Sequence, residues 1–371
     1  MILKDFVYVP ALRTSVYNLG AVSMLNDSVK DLIIPRLIVT GKNEDCLNGF
    51  LVKWGKDRPF FLEVSKYALD LDCELNQLLN NSKQYFSEQY SFFSSKNQYQ
   101  VIPLVNETDS TNLRDIMQHS LKLVNNFDKV AFRLDIRKDF QASLNLLTTL
   151  LSAFSDDLIQ KVILIVDAGK ISSLSDISTI SLNQTLQFIN QYKFPLVVFS
   201  STSYPNSRPT SGTSDNFPCL DPIWQYTYIN KLLANETKAI YGDFSATDPS
   251  TEKFDFDFAV RPIPYGTYLL EDSLEWYTLR EGKGGEYDKF REVAKKIRSQ
   301  NGYHGDTFCE ANKIIKSIED GTRNKAGNQA FWNKLKINEH ISAIIDKYHK
   351  SLLDMTGQNS EDEDEDEDED Y

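Results

Sequence analysis

Apolar residues in this chain gather into short unbroken runs. Between the runs lie polar stretches in which apolar positions recur every three or four residues. Unbroken runs suit strands buried on both faces, and the wider spacing suits helices with one buried stripe. The clearest case lies between Val130 and Gly169. There Val130-Ala-Phe-Arg-Leu-Asp-Ile136 and Lys161-Val-Ile-Leu-Ile-Val-Asp-Ala-Gly169 flank a helical stripe of Leu144, Leu147, Leu151 and Phe154. This is the pattern of a parallel βαβ unit.

The same alternation extends in both directions. Further strands are predicted at Phe6 to Arg13, Leu32 to Val39, Phe60 to Ser65, Val101 to Val105, Leu196 to Ser200 and Ala239 to Asp243. Pro35 sits awkwardly in the second of these, since proline has no N–H for a ladder. Helices are predicted between the strands, one of them capped by Asp109-Ser110 and striped from Leu113 to Phe127, another from Ile223 to Leu233. Ser201 to Phe217 is rich in Ser, Thr, Pro and Asn and predicts a long surface loop. Eight strands alternating with helices match the (β/α)8 barrel. A doubly wound open sheet would commonly show a glycine-rich turn after its first strand, and Arg13-Thr-Ser-Val16 has none.

Beyond Asp243 the pattern changes. Arg261 to Leu270 and Glu275 to Arg280 read as paired strands or an extended excursion, and three or four helices close the chain. The expected organisation is a (β/α)8 TIM-barrel-like domain over 1–250, a strand-pair and helical extension packed on it over 251–356, and a disordered acidic tail over 357–371. Carboxylates that repel one another cannot bury enough surface to offset ordering entropy.

The tail also accounts for the charge. The net charge is −13, and the strict Glu-Asp alternation of 361–370 supplies ten of those charges, leaving −3 for everything else. A nearly neutral body argues against general nucleic-acid binding, which needs basic patches. The four cysteines have no CxxC spacing, which disfavours a zinc site and suits a reducing cytoplasm. No signal peptide is read at the N-terminus. No apolar run approaches the roughly 18 residues of a membrane helix.

Strand ends supply the candidate chemistry, because side chains at the carboxyl ends of barrel strands converge on one mouth. They are Arg13, Glu63, Asn106, Arg133, Asp135, Asp167, Ser200, Ser201 and Asp243. Converging carboxylates at Glu63, Asp135, Asp167 and Asp243 would suit a divalent metal such as Mg²⁺ or Mn²⁺, and neighbouring arginines would suit a phosphate. The plainer explanation is an internal ion pair, since Arg133 and Asp135 share one side of their strand. Of the four histidines, only His304 and His340 could visit the mouth, and solvated-surface or structural roles are the favoured reading for them. Nucleophile elbows, Walker loops and His-Glu-x-x-His are absent.

Several phrases together resemble the Beta protein family of phages and prophages. They are Tyr8-Val-Pro10, Val29-Lys-Asp-Leu-Ile-Ile-Pro35, Arg133, Asp167-Ala-Gly169 and Tyr241-Gly-Asp243 with Asp248-Pro249, then Gly305-Asp306, Gly327-Asn328, Trp332 and His340. Their order and spacing run from residue 6 to about residue 346. Where the family often carries two adjacent histidines, this chain has Glu339-His340. The resemblance implies a mobile-element protein acting through a phage- or host-encoded protein, in phage defence, counter-defence or antitoxin-like neutralisation. Arg13, Glu63, Arg133, Asp135, Asp167, Asp243 and His340 are its expected ligand or partner contacts. The alternative is a metal-dependent phosphodiesterase or related hydrolase built on the strand-end carboxylates.

Overall fold

All eight predicted runs pair in parallel, in chain order, until the last meets the first. The computed structural model describes residues 5–41, 44–66, 70–105, 112–137, 139–205, 207–219, 237–248, 261–271 and 275–356, with the backbone alone for Leu174 and 351–356. Its strands are β1 (Tyr8–Arg13), β2 (Arg36–Val39), β3 (Phe60–Val64), β4 (Val101–Val105), β5 (Val130–Asp135), β6 (Val162–Lys170), β7 (Leu196–Thr202), β8 (Ser214–Pro218), β9 (Ala239–Asp243), β10 (Tyr265–Leu269) and β11 (Glu275–Arg280). Strands β1 to β7 and β9 form a closed barrel, sealed by parallel pairing of β9 with β1. This is a (β/α)8-like architecture with helices around a parallel barrel. Pro35 causes no conflict, because β2 begins one residue later.

Two apolar layers hold the barrel. Inside it, residues of one parity on every strand meet, among them Val9, Phe61, Ile102, Ala131, Ile163 and Ile240. Residues of the opposite parity, such as Leu37, Leu62, Phe132, Leu164 and Val197, face the helices. Burying each such side chain is worth about 1.5–3 kcal/mol. The helix Leu113–Asn126 is capped by Asn112, whose side-chain oxygen accepts the Arg114 N–H; the expected cap at Asp109-Ser110 lies outside the described residues. So do Asn106, the helix expected at 223–233, and the acidic tail.

The expected surface loop at 201–217 holds more order than its composition suggests. Its end forms β8, which pairs antiparallel with β11, giving a second sheet in the order β10-β11-β8. This sheet packs on the helices Phe290–Arg298 and Glu310–Glu319 through a separate core that includes Tyr268, Leu279, Val293 and Ile315. Phe290 and Trp332 stack there with ring centroids 4.9 Å apart.

The long helix Gln329–Thr356 belongs to both cores. Trp332 and Leu335 enter the second, whereas Ile337, Ile341 and Ile344 pack with the barrel's outer layer. It lies against the helix Val16–Ser23, where Asn338 Nδ2 donates to the Ala21 carbonyl at 3.0 Å.

Candidate functional site

On top of the apolar filling of the barrel sits a layer of buried charge. Period two puts Arg36, Glu63, Arg133 and Asp167 on the same inward side as the apolar residues beneath them. Arg36 Nε lies 2.5 Å from Glu63 Oε2, and Arg36 Nη2 lies 3.8 Å from Asp167 Oδ2. Arg133 Nη1 is 3.6 Å from Glu63 Oε1 and 3.5 Å from Asp167 Oδ2. Each carboxylate is thus bracketed by both guanidiniums, in a ring of alternating charge. Arg36 and Glu63 are fully buried, whereas Arg133 and Asp167 retain 8% and 7% exposure. The guanidinium of Arg36 also lies 5.6 Å from the centre of the Phe244 ring.

The ring stands because every ion has a partner. Charges taken out of water lose several kcal/mol each unless opposite charge and hydrogen bonds replace the hydration. Asp167 is further fixed by its Oδ1, which accepts the Gly169 N–H at 2.9 Å. Between these residues the β6–β7 register shifts, and Gly169 takes a φ of +59°. Such an irregularity re-aims the residues at a strand's end.

Around this ring lie other strand-end candidates. Arg13 Nε is 3.3 Å from Asp70 Oδ2, and Asp70 also accepts the Ser65 hydroxyl at 2.7 Å. Asp135, partly exposed, lies in register with Asp167 on the neighbouring strand, and its Oδ1 accepts the Arg137 N–H at 2.9 Å. Ser200 lies in register with Asp167 on the other side.

Asp243 and His340 are brought together, but on the other face of the barrel wall. Of the strand neighbours Gly242 and Asp243, Gly242 is the inward residue, since a Cβ on it would meet Val198 Cγ1 at 2.9 Å and the Val9 carbonyl at 3.2 Å. Asp243 therefore points outward, toward the long C-terminal helix. Its carboxylate accepts from His340 Nε2 at 2.6 Å, Tyr241 Oη at 3.1 Å, the Ser245 N–H at 2.8 Å and the Tyr8 hydroxyl. Tyr8 and Tyr241 stack with centroids 5.6 Å apart, and Trp276 lies 5.0 Å from the His340 ring. With His340 1% and Asp243 3% exposed, this network clamps the helix to the seam where β1 meets β9.

His119 and His304 also have buried side chains in structural settings, whereas His349 is exposed. His119 Nε2 pairs with Gln89 Oε1 at 2.8 Å, and burial pushes its pKa down to about 3. His304 lies 3.7 Å from Glu339 and 3.6 Å from Glu271; burial lowers its pKa too.

The donor set in the inner ring does not suit a hard divalent cation. Glu63 and Asp167 already face guanidiniums, which a metal would have to displace. Among the described residues, the group whose ligand atoms lie close enough to share one ion is Glu271, His304 and Asp346, and Lys350 already pairs with both of those carboxylates.

Sequence reasoning missed Arg36, Asp70 and Tyr8. For Arg36 a signal existed: a lone arginine inside an apolar run buried on both faces must find a carboxylate. Asp70 and Tyr8 carried no comparable mark.

Among the described residues, no helix is long and apolar enough to cross a membrane. A family model described as Beta protein matches residues 8–346. The chain is 25% identical over 352 residues to Protein beta of Enterobacteria phage P4, covering 92% of this chain and 94% of that protein. The match spans the barrel, the inner ring and the helix that carries His340, and on it this chain belongs to the phage-associated Beta protein family.

Proposed function

We propose that this chain acts by binding, taking a partner segment or ligand at the carboxyl-end mouth of its barrel. The partner is a phage- or host-encoded protein, and the setting is cytoplasmic competition between phage and host: defence, counter-defence or toxin neutralisation. Family membership supports the phage setting. The observation that carries the binding reading is the inner ring, whose less buried members are Arg133 and Asp167. Barrels of this kind place ligand sites at the carboxyl ends of their strands. An arginine and a carboxylate side by side can hold both the donors and the acceptors of a polar segment. Arg13 and Asp135 are the rim contacts in this reading.

The test is a pull-down from phage-infected and uninfected bacterial lysates. Wild type is compared with Arg13→Ala, Asp135→Ala and Asp167→Asn, each shown to be folded by circular dichroism. One stoichiometric partner, weakened by the rim and ring variants, is the expected result. Equal recovery of the same partner by all four proteins would place the binding surface elsewhere.

A further inference from the structure

Among the described residues, Lys336 is a buried ammonium with no carboxylate paired to it, although the Asp248 carboxylate acts on its partner Tyr204. It lies on the helix Gln329–Thr356, between Leu335 of one core and Ile337 of the other. A lysine in such a position normally extends its amine to water, yet Lys336 is only 8% exposed. Its Nζ donates to Tyr204 Oη at 3.0 Å and lies 4.3 Å from the centre of that ring. Among the described residues it has no acidic partner. Tyr204 Oη in turn lies 3.3 Å from Thr267 Oγ1. The Arg208 guanidinium lies 5.4 Å from the Tyr265 ring centre, on an exposed residue. Gln329 holds Tyr265 in place, accepting from its N–H at 3.1 Å and donating to its carbonyl at 2.9 Å.

We propose that Lys336 and Arg208, with the hydroxyls of Tyr204, Tyr265 and Thr267, form a binding site for a small oxyanion, a phosphate or carboxylate group. The site stands apart from the inner ring, where each guanidinium already faces two carboxylates. A buried ammonium is costly unless it is paired. Among the described residues, one phenol oxygen and one ring face satisfy a single N–H and part of the charge, leaving two N–H donors. Tyr204 accepts from Lys336, so its own proton can go to Thr267 Oγ1 or to a bound anion. An oxyanion at this point would receive charge-assisted bonds from the ammonium and a second cation at the exposed edge. Burial pushes the Lys336 pKa down to about 8, the direction expected while counter-charge is missing; Tyr265 and Arg208 are the other groups acting on it.

The experiment titrates the full chain with inorganic phosphate and, separately, with acetate, at constant ionic strength in chloride. Isothermal calorimetry gives the affinity of wild type, Lys336→Met and Arg208→Ala. Saturable binding by wild type is expected, weakened at least about tenfold in Lys336→Met, the loss of one hydrogen bond to a charged group. Arg208→Ala, altered at an exposed residue, also weakens it and keeps the test open if the buried variant does not fold. The stronger anion assigns the ligand class. As a second readout, the ¹³C signal of methylated Lys336, identified by its absence in Lys336→Met, should titrate at higher pH when the preferred anion saturates the protein. No saturable binding of either anion, equal affinity in all three proteins, or an unmoved Lys336 titration would overturn the proposal.

Discussion

Asp243 should be among the most sensitive polar positions in the barrel wall. Its carboxylate takes hydrogen bonds from Tyr8, Tyr241, His340 and the Ser245 N–H, and it is 3% exposed. Asp243→Ala leaves four buried donors without that acceptor. A hydrogen bond to a charged group is worth about 1.5–3 kcal/mol, but four that share one group are not additive, so a loss of about 4–6 kcal/mol is expected. Asp243→Asn keeps one carbonyl oxygen and should lose about 2–3 kcal/mol. Urea unfolding followed by tryptophan fluorescence measures both, with Trp276 beside His340 as a nearby reporter. A double-mutant cycle of Asp243→Asn with His340→Gln should return a coupling of about 1 kcal/mol or more. A loss below about 1 kcal/mol for Asp243→Ala, with an unchanged denaturant slope, would refute the clamp. Additivity of the cycle within about 0.5 kcal/mol would do the same.

Four further outcomes follow from the same geometry. Arg133→Met leaves Glu63 and Asp167 sharing Arg36 alone, and should cost about 3–5 kcal/mol in urea unfolding, the usual effect of breaking a buried pair; Asp135→Ala, partly exposed, should change stability by less than about 1 kcal/mol. His119 has a lowered folded-state pKa, so its contribution is complete above its ordinary value of 6.5 and is lost as pH falls toward about 3. The slope is up to about 1.4 kcal/mol per pH unit, and His119→Phe should remove that component from unfolding curves between neutral pH and pH 4. Gly242→Ala forces a methyl against Val198 and the Val9 carbonyl, and should destabilise by about 1–3 kcal/mol, the range for overpacking a filled core; a calorimetric melting temperature equal to wild type would show that the wall yields there.

The chain's own pattern determined the barrel, and tertiary structure decided the chemistry. Runs such as Val162 to Val166 are apolar without alternation because both faces of a parallel strand are buried, so their number and order could be read without coordinates. The helices with strong stripes were legible for the same reason. β8 was not, because Ser214–Pro218 is polar and largely exposed and is a strand only through its pairing with β11. Glu63, Arg133 and Asp167 could be named as strand-end residues. That they meet Arg36 in one ring follows from closure, which brings together side chains 131 positions apart in sequence. Asp243 shows the limit most sharply. A shift of one residue turns a side chain from the inside of a barrel to its outer wall. The sequence marks where a strand ends, but only the closed sheet fixes which of Gly242 and Asp243 faces in. With Gly242 filling the interior, the carboxylate faces the helix that brings His340 to it.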